Sequence, residues 1–145
     1  MNSGRDTARR FLQIRQSLEF LAQQALVDAL ENQAQCDQMV VEKSGIRMDL
    51  LNHQEKLSSG ELWQQWYATL QVAELSVQSA QLNAQVQASQ VTLRRQEVLT
   101  AHQEKRRWEV TVQRLEEQTR QAQMHLEQHN ADEMAGIRHG WINPL

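Results

Sequence analysis

The stretch SSGELWQQWYATL, residues 58–70, decides the fold because it joins a turn to an aromatic cluster. Ser58 and Glu61 fit the Ser-x-x-Glu capping box with which helices begin. The chain has only five Gly and one Pro, and that proline is Pro144, next to the last residue. Since Gly and Pro are the residues that interrupt helices, long helices are predicted on both sides of this turn.

The predicted boundaries follow from these signals. Ser3 and Asp6 resemble a second helix start. After the turn, Gly136 is the next residue that could interrupt a helix, and before the turn only an isolated Gly45 stands inside the first helix. We therefore predict a single domain over residues 1–145. Its predicted parts are a helix over 5–56, a turn over 57–60, a helix over 61–135 and an irregular tail over 136–145.

Apolar residues recur along the second helix at alternating spacings of three and four. Fifteen of the twenty positions in this register are apolar. The positions are Trp63, Trp66, Leu70, Ala73, Val77, Ala80, Ala84, Gln87, Val91, Arg94, Val98, Ala101, Lys105, Trp108, Val112, Leu115, Thr119, Ala122, Leu126 and His129. This pattern is typical of a coiled-coil seam, so we predict an all-α fold, an elongated antiparallel two-helix coiled-coil hairpin.

The first helix carries a similar stripe in two pieces, with polar residues between them. The residues of this predicted stripe are Phe11, Ile14, Leu18, Leu21, Ala25, Met39, Ile46, Leu50 and Leu57. In a hairpin, residue i of the first helix then faces roughly residue 117 minus i of the second. A first helix that starts near residue 5 covers the second only to about residue 112. The second helix is thus predicted to be the longer one and to leave Leu115 and Leu126 bare, and exposed apolar surface of this kind marks interaction sites.

Composition narrows the class of protein. The net charge is −3, and the longest uncharged stretch, residues 75–93, is too rich in Gln, Ser and Asn to span a membrane. The single Cys36 excludes an internal disulfide framework and fits a reducing compartment. With no signal peptide in view, we expect a cytoplasmic protein that is not integral to a membrane.

No residues point to catalysis, a cofactor or a metal. His125 and His129 share a helical face, but the Glu that zinc proteases place beside a ligating His is absent, since Leu126 and Gln128 stand there. Cys36 has no activating neighbours, and there is no Gly-rich phosphate loop. We expect no enzymatic activity.

Two surfaces remain as candidates for binding. Basic residues gather where the helix ends meet, but acids are interspersed, so the same residues also fit a simple charged surface. The basic residues are Arg5, Arg9, Arg10, Arg15, Lys105, Arg106 and Arg107, with Arg94, Arg95, Arg114 and Arg120 along the second helix. At the turn, Trp63 and Trp66 are predicted to plug the hairpin against Leu57 and His53, while Leu62 and Tyr67 are exposed.

The whole chain resembles FliJ, the stalk protein of flagellar type III export, and its YscO/SctO counterparts in injectisomes. The resemblance is carried by Leu62-Trp63-Gln64-Gln65-Trp66-Tyr67 with Leu70, and by three segments of the second helix. These segments are Gln103-Glu104-Lys105-Arg106-Arg107-Trp108, Leu115-Glu116-Glu117-Gln118 and Asn130-Ala131-Asp132-Glu133-Met134-Ala135. Residues 75–93 and the tail 140–145 depart from the family pattern.

The resemblance implies a stalk like the coiled-coil part of the γ subunit of rotary ATPases. Such a protein enters the pore of the hexameric export ATPase, stimulates hydrolysis without binding nucleotide, and links the ring to the cytoplasmic domain of the export gate. Some members also handle export chaperones. The implied ATPase contacts are Arg9, Arg10, Arg106, Arg107, Arg114, Leu115 and Leu126, and the implied gate contacts are Trp63, Trp66, Tyr67 and Leu70. The protein would be cytoplasmic and peripherally associated with the inner-membrane export apparatus.

Two other classes of protein stay open on the sequence. One is a homodimeric coiled-coil scaffold with no ATPase partner, in which the bare ends of two second helices pair. The other is a helical rod bound to RNA or DNA, which the sequence favours less because its aromatic residues are not interleaved with its arginines.

Overall fold

The computed structural model describes the backbone of residues 3–54 and 57–142, and their side chains except those of residues 141 and 142. Within these residues the chain forms two helices and no strand: α1, Ser3–Asn52, and α2, Gly60–Ile142. The two helices pack against each other. With 50 residues in α1 and 83 in α2, the prediction of an all-α fold with a longer second helix is confirmed.

Helix α1 ends four residues earlier than predicted, at Asn52. The last carbonyls of a helix lack partners in a following turn, and the indole of Trp66 donates to one of them, the carbonyl of Leu50. The carbonyl of Asp49 accepts the backbone N–H of His53 at 3.1 Å, and the Nδ1 atom of His53 lies 2.6 Å from the same oxygen. The helix can therefore stop at Asn52 without leaving these groups unpaired. Residues 55 and 56, which the prediction included in this helix, lie outside the described residues.

Helix α2 begins at Gly60, one residue earlier than predicted, and its serine cap lies one residue later than predicted. The backbone N–H of Leu62 donates to Oγ of Ser59 at 3.2 Å, so the cap is Ser59 and not Ser58. Gly60 is then the first helical residue, and the backbone N–H of Trp63 donates to the carbonyl of Ser59 at 3.1 Å. A serine at this position is worth about 1 kcal/mol to a helix.

The predicted irregular tail is helical as far as Ile142. Gly136 and Gly140 do not break α2, and none of the glycines in the described residues has a positive φ. Each glycine destabilises a helix by about 1 kcal/mol relative to Ala, and a long helix can stay intact despite this loss. Only a proline forces an end, and Pro144 lies with residues 143–145 outside the described residues.

The chain divides into two compact units. We call Glu19–Thr100, which contains the turn, the turn unit, and Met1–Leu18 with Ala101–Leu145 the terminal unit. Both helices contribute to each unit. The prediction of a single domain stays a prediction.

The core of the turn unit is a narrow line of small and medium side chains. Ala29, Leu70, Ala80 and Val91 are buried, and Val77 is only 2% exposed. The other predicted positions of the α2 stripe between Trp66 and Val98 are all half-buried. The α2 face that packs on α1 in this unit is therefore the one that the sequence predicts.

The core of the terminal unit is smaller. Ala8 of α1 and Val112 of α2 are buried, and the α2 stripe on either side of Val112 is half-buried from residue 101 to Thr119. The ring of Phe11 stacks on the indole of Trp108 with centroids 4.9 Å apart and planes 16° apart. Aromatic stacking at this edge supplements a core built mostly from small residues.

The α1 face predicted to pack on α2 is wrong by about one residue over most of its length, although the predicted Ala25, Leu50 and Leu57 are half-buried. Phe11, Ile14, Leu18 and Leu21 are all more than 40% exposed. The inward positions are instead Arg5, Ala8, Leu12 and Arg15 in the terminal unit, and Glu19, Ala22, Leu26, Ala29, Gln33, Cys36, Val40, Lys43, Arg47 and Leu50 in the turn unit. The alanines and Cys36 among them let the helices approach closely, and the aliphatic stems of Arg and Lys pack as apolar groups.

Candidate functional site

The aromatic cluster after the turn connects the start of α2 to the end of α1. Nε1 of Trp66 donates a hydrogen bond of 2.8 Å to the carbonyl oxygen of Leu50. The ring of Trp63 meets that of Trp66 edge-on, with centroids 5.6 Å apart and planes at 77°, a favourable arrangement for two aromatic rings. The hydrogen bond to Leu50 supports the structural role predicted for Trp66.

The four residues predicted to contact the export gate fall into two pairs. Trp63 is 41% exposed and Tyr67 is 57% exposed, because α1 has ended before it could cover the first turn of α2. Trp66 is half-buried and Leu70 is buried, so these two hold the exposed pair in place from beneath. Leu62 is exposed as well, as predicted.

Replacement of Trp66 by Phe tests this structural role. The change keeps most of the apolar ring and removes the donor to Leu50, so the free energy of unfolding should fall by about 1 kcal/mol. Urea unfolding followed by circular dichroism measures the change. The matched control is Trp63→Phe in the same cluster, for which we expect a change within about 0.5 kcal/mol. Equal losses in the two variants would contradict the assigned role of the Leu50 bond.

Many of the arginines predicted to form a basic surface are paired with acids of the same chain. Arg9 of α1 reaches Glu116 of α2 at 2.6 Å. Arg106 lies 2.8 Å from Glu109 and Arg107 lies 3.0 Å from Glu104, each pair three residues apart on α2. The predicted basic surface of the terminal unit is therefore partly neutralised, although Arg106 and Arg107 themselves stay well exposed.

Two of the predicted ATPase contacts carry a less compensated charge. Arg10 and Arg114 are exposed, and neither forms an ion pair within residues 3–54 and 57–142. Surface ion pairs contribute little to stability, whereas an exposed cation without a local acid is available to attract an acidic partner. These two arginines are the strongest basic positions among the predicted contacts.

The end of α2 is bare. Every side chain from Gln121 to Gly140 is exposed. Leu126, a predicted contact, is 61% exposed, whereas Leu115, another predicted contact, is half-buried. Cover by α1 thus extends to Thr119 rather than to about residue 112, because α1 begins at Ser3 and Arg9 reaches across to Glu116.

The bare segment 121–140 combines apolar and acidic side chains. Its large apolar residues, Met124, Leu126, Met134 and Ile137, are at least half exposed. Leu126, Met134 and Ile137 are eight and three residues apart, so they share one side of the helix. The segment carries three acids, one arginine and three histidines, and one of the histidines, His129, lies 3.2 Å from Glu133. An isolated helix with exposed apolar side chains is only marginally stable in water, so this segment is the chain's clearest candidate for a binding site.

Other kinds of site find little support in the described part of the chain. His125 and His129 are exposed, and no group of three potential metal ligands comes together among the described residues. Cys36 is half-buried and forms no disulfide. Neither helix, over the residues described, has a segment apolar and long enough to cross a membrane.

A row of exposed apolar residues on α1 was missed by the sequence analysis. Phe20, Val27, Ala34, Val41 and Met48 lie seven residues apart on one side of α1 in the turn unit, and we call them, with Leu30 and Leu51, the outer stripe. Their seven-residue spacing is visible in the sequence. The predicted packing face of α1 used a different apolar row, which contains Leu18 and Leu21.

Comparison with protein-family models, curated proteins and solved structures finds no match to this chain.

Proposed function

We propose that the protein is the stalk of a type III export apparatus, flagellar or injectisome, and that segment 121–140 of α2 inserts into the hexameric export ATPase. The observation that carries the proposal is the uninterrupted exposure of this segment beside a covered stretch of the same helix. A segment that presents Leu126 and Met134 to water is stabilised by entering a partner that covers it. The sequence resemblance to FliJ supplies the kind of partner.

The proposal includes the finer fold that the sequence predicts, an antiparallel coiled-coil hairpin. Two observations in the turn unit support it. Trp66 near the start of α2 bonds to Leu50 near the end of α1, as expected when the chain reverses at residues 53–59. The inward residues of both helices alternate at spacings of three and four, which is the repeat of knobs-into-holes packing.

In this mechanism the protein acts by binding and not by catalysis. Arg10 and Arg114, with the exposed Arg106 and Arg107, orient the stalk against an acidic rim of the ring, since complementary charge raises association rates and fixes orientation. Trp63 and Tyr67, supported by Trp66 and Leu70, contact the cytoplasmic domain of the export gate. The protein would then work in the cytoplasm, peripherally attached to the export apparatus at the inner membrane, with export chaperones as further partners.

The direct test mixes the purified chain with the hexameric export ATPase of the same cell. We expect the two to copurify by size exclusion, and the rate of ATP hydrolysis to rise with added chain until it saturates. A rate that does not change at any concentration of the chain, with no copurification, would refute the proposal.

Charge reversal at Arg106 and Arg107 to Glu tests the basic surface. We expect stimulation of hydrolysis at low salt to fall several-fold and to depend less on ionic strength, because rim charges act mainly on association. Both side chains are exposed and their ion pairs are of the weak surface kind, so circular dichroism should be unchanged.

The control for this reversal is Arg95→Glu, an exposed arginine of the turn unit. It belongs to the predicted basic surface but is not among the predicted ATPase contacts, so this variant should stimulate hydrolysis as well as the unaltered chain. If the two variants behave alike, Arg106 and Arg107 are not specific contacts of the ATPase.

A homodimeric scaffold is the second candidate, and the same bare segment favours it. Two copies could cover each other's Leu126 and Met134 without an ATPase. Sedimentation equilibrium separates the alternatives, because the stalk predicts a monomer over the accessible concentration range and the scaffold predicts a dimer whose fraction rises with concentration.

A further inference from the structure

The outer stripe of α1 is a second apolar surface, distinct from segment 121–140. Its large residues range from Leu30 at 38% exposed to Val41 at 71% exposed. All its members lie in the turn unit, on α1, next to the inward positions that pack on α2. A helix of the turn unit therefore carries one apolar row that is covered and one that is not.

The spacing of the outer stripe indicates what kind of surface would cover it. Phe20, Val27, Ala34, Val41 and Met48 repeat every seven residues, and Leu30 and Leu51 each follow a member by three. Alternation of three and four is the repeat with which one helix packs along another. Scattered exposed apolar residues need no explanation, but a continuous exposed row marks an interaction site.

Charge around the stripe specifies the partner further. Residues 16–42 contain five acids and no Lys or Arg. Glu31 lies one helical turn from Val27, and Asp37 lies one turn from both Ala34 and Val41. Asp28, Glu31 and Asp37 form no ion pair within residues 3–54 and 57–142. Over residues 16–42 the rim of the outer stripe thus presents negative charge, and the nearest bases of α1 beyond this range, Lys43 and Arg47, lie at inward positions.

We propose that the outer stripe binds a basic amphipathic helix of another protein, one with an apolar row of the same repeat flanked by Lys or Arg. Apolar contact would supply the burial, and the rim acids would pair with the flanking bases. A second copy of the stripe is a poor occupant, because it would set the four exposed acids of residues 16–42, Asp28, Glu31, Asp37 and Glu42, against four more. Helix α2 of a second copy offers no base between Gly60 and Leu93.

The probe is a fluorescently labelled synthetic helix with Leu in a heptad row and Lys on both flanks. Its binding to the full chain is measured by fluorescence anisotropy. The comparison peptide has Glu in place of every Lys. We expect the Lys peptide to bind and the Glu peptide to bind at least about tenfold more weakly. Added salt should weaken binding of the Lys peptide to the chain.

The variant Val27→Glu with Val41→Glu separates stripe binding from simple attraction of charge. The two added acids should strengthen attraction of a basic peptide to the surface, yet they disrupt the apolar row, so we expect binding to fall roughly tenfold or more. Both positions are exposed, so circular dichroism should not change. The matched control is Val72→Glu with Val86→Glu on α2 of the same unit, where both valines are also exposed. It should bind as tightly as the unaltered chain or more tightly.

Three results would overturn the proposal. The first is equal binding of the Lys and Glu peptides. The second is unchanged or tighter binding by the α1 variant, which would mean attraction of charge alone. The third is a dimer in sedimentation that the α1 variant abolishes, which would make a second copy the occupant. None of these experiments contains the ATPase, so their outcome leaves the proposed role of segment 121–140 untouched.

Discussion

A chain that stops after Arg120 is expected to lose its stimulation of the export ATPase while its own fold stays intact. Residues 121–140 are all exposed, and the ion pair between His129 and Glu133 lies within the segment itself. Their removal therefore takes away the proposed insertion site without opening the core at Val112. Stimulation of hydrolysis should drop at least about tenfold, and the melting temperature should stay within roughly 2 °C.

The control for this truncation is a chain that stops after Gly140. It keeps segment 121–140 and should stimulate hydrolysis like the full chain. Full stimulation by the shorter chain would remove the bare segment from the mechanism. A large drop in its melting temperature would instead mean that the segment packs against the rest of the protein.

Replacement of Val77 by Asp is expected to have the largest effect on stability. Val77 is 2% exposed in the core of the turn unit, and the inward positions that surround it in α2, Ala73, Ala80 and Ala84, are uncharged. Lys43 of α1 lies beside Ala73 and Ser76, but even with a basic residue nearby a carboxylate buried at Val77 loses its hydration. Burial of a charge is among the most destabilising single changes. We expect a loss of roughly 3–5 kcal/mol in the free energy of unfolding, measured by urea titration. A loss of that size is a large part of the stability of a small protein.

The control is Val72→Asp, five residues earlier on the same helix, where the side chain is 67% exposed. Its effect should stay within about 0.5 kcal/mol, because substitutions at exposed positions are usually mild. Similar losses in the two variants would mean that α2 presents a different face to α1 than the one described.

The packed face of α2 could be predicted from the sequence because its apolar residues keep one regular spacing along the helix. Residues such as Val77, Ala80 and Val91 recur at one spacing, and the uncharged stretch around them is filled with Gln and Ser. The predicted cap of α2 was one residue too early, because Ser58 and Ser59 are both good caps. The hydrogen bond from the N–H of Leu62 identifies Ser59 as the cap.

The packed face of α1 could not be predicted in the same way because this helix has more than one apolar row. Apolar content favoured Phe11, Leu18 and Leu21, but close packing against the alanines of α2 favours small inward residues such as Ala22 and Ala29. Packing selects shape as well as hydrophobicity. The apolar rows of α1 that do not pack on α2 stay at the surface, and the outer stripe is one of them.

The candidate binding segment was only partly predictable. Unequal helix lengths could be deduced from the position of the turn, and they predict a bare end correctly. Its extent depends on Arg9 reaching Glu116 and on a helix that continues through Gly136 and Gly140. Neither follows from spacing alone, because a long side chain can extend cover by a turn and a glycine only lowers helix stability.

Amide hydrogen exchange of segment 121–140, measured with and without the hexameric export ATPase, tests the central claim most directly. In the isolated chain these amides should exchange quickly, since no tertiary contact holds this part of α2. We predict that saturating ATPase slows exchange across residues 121–140 and leaves the core around Val77 unchanged. Exchange in this segment that stays fast in the presence of bound ATPase, or that is already slow in the monomeric chain, would contradict the account.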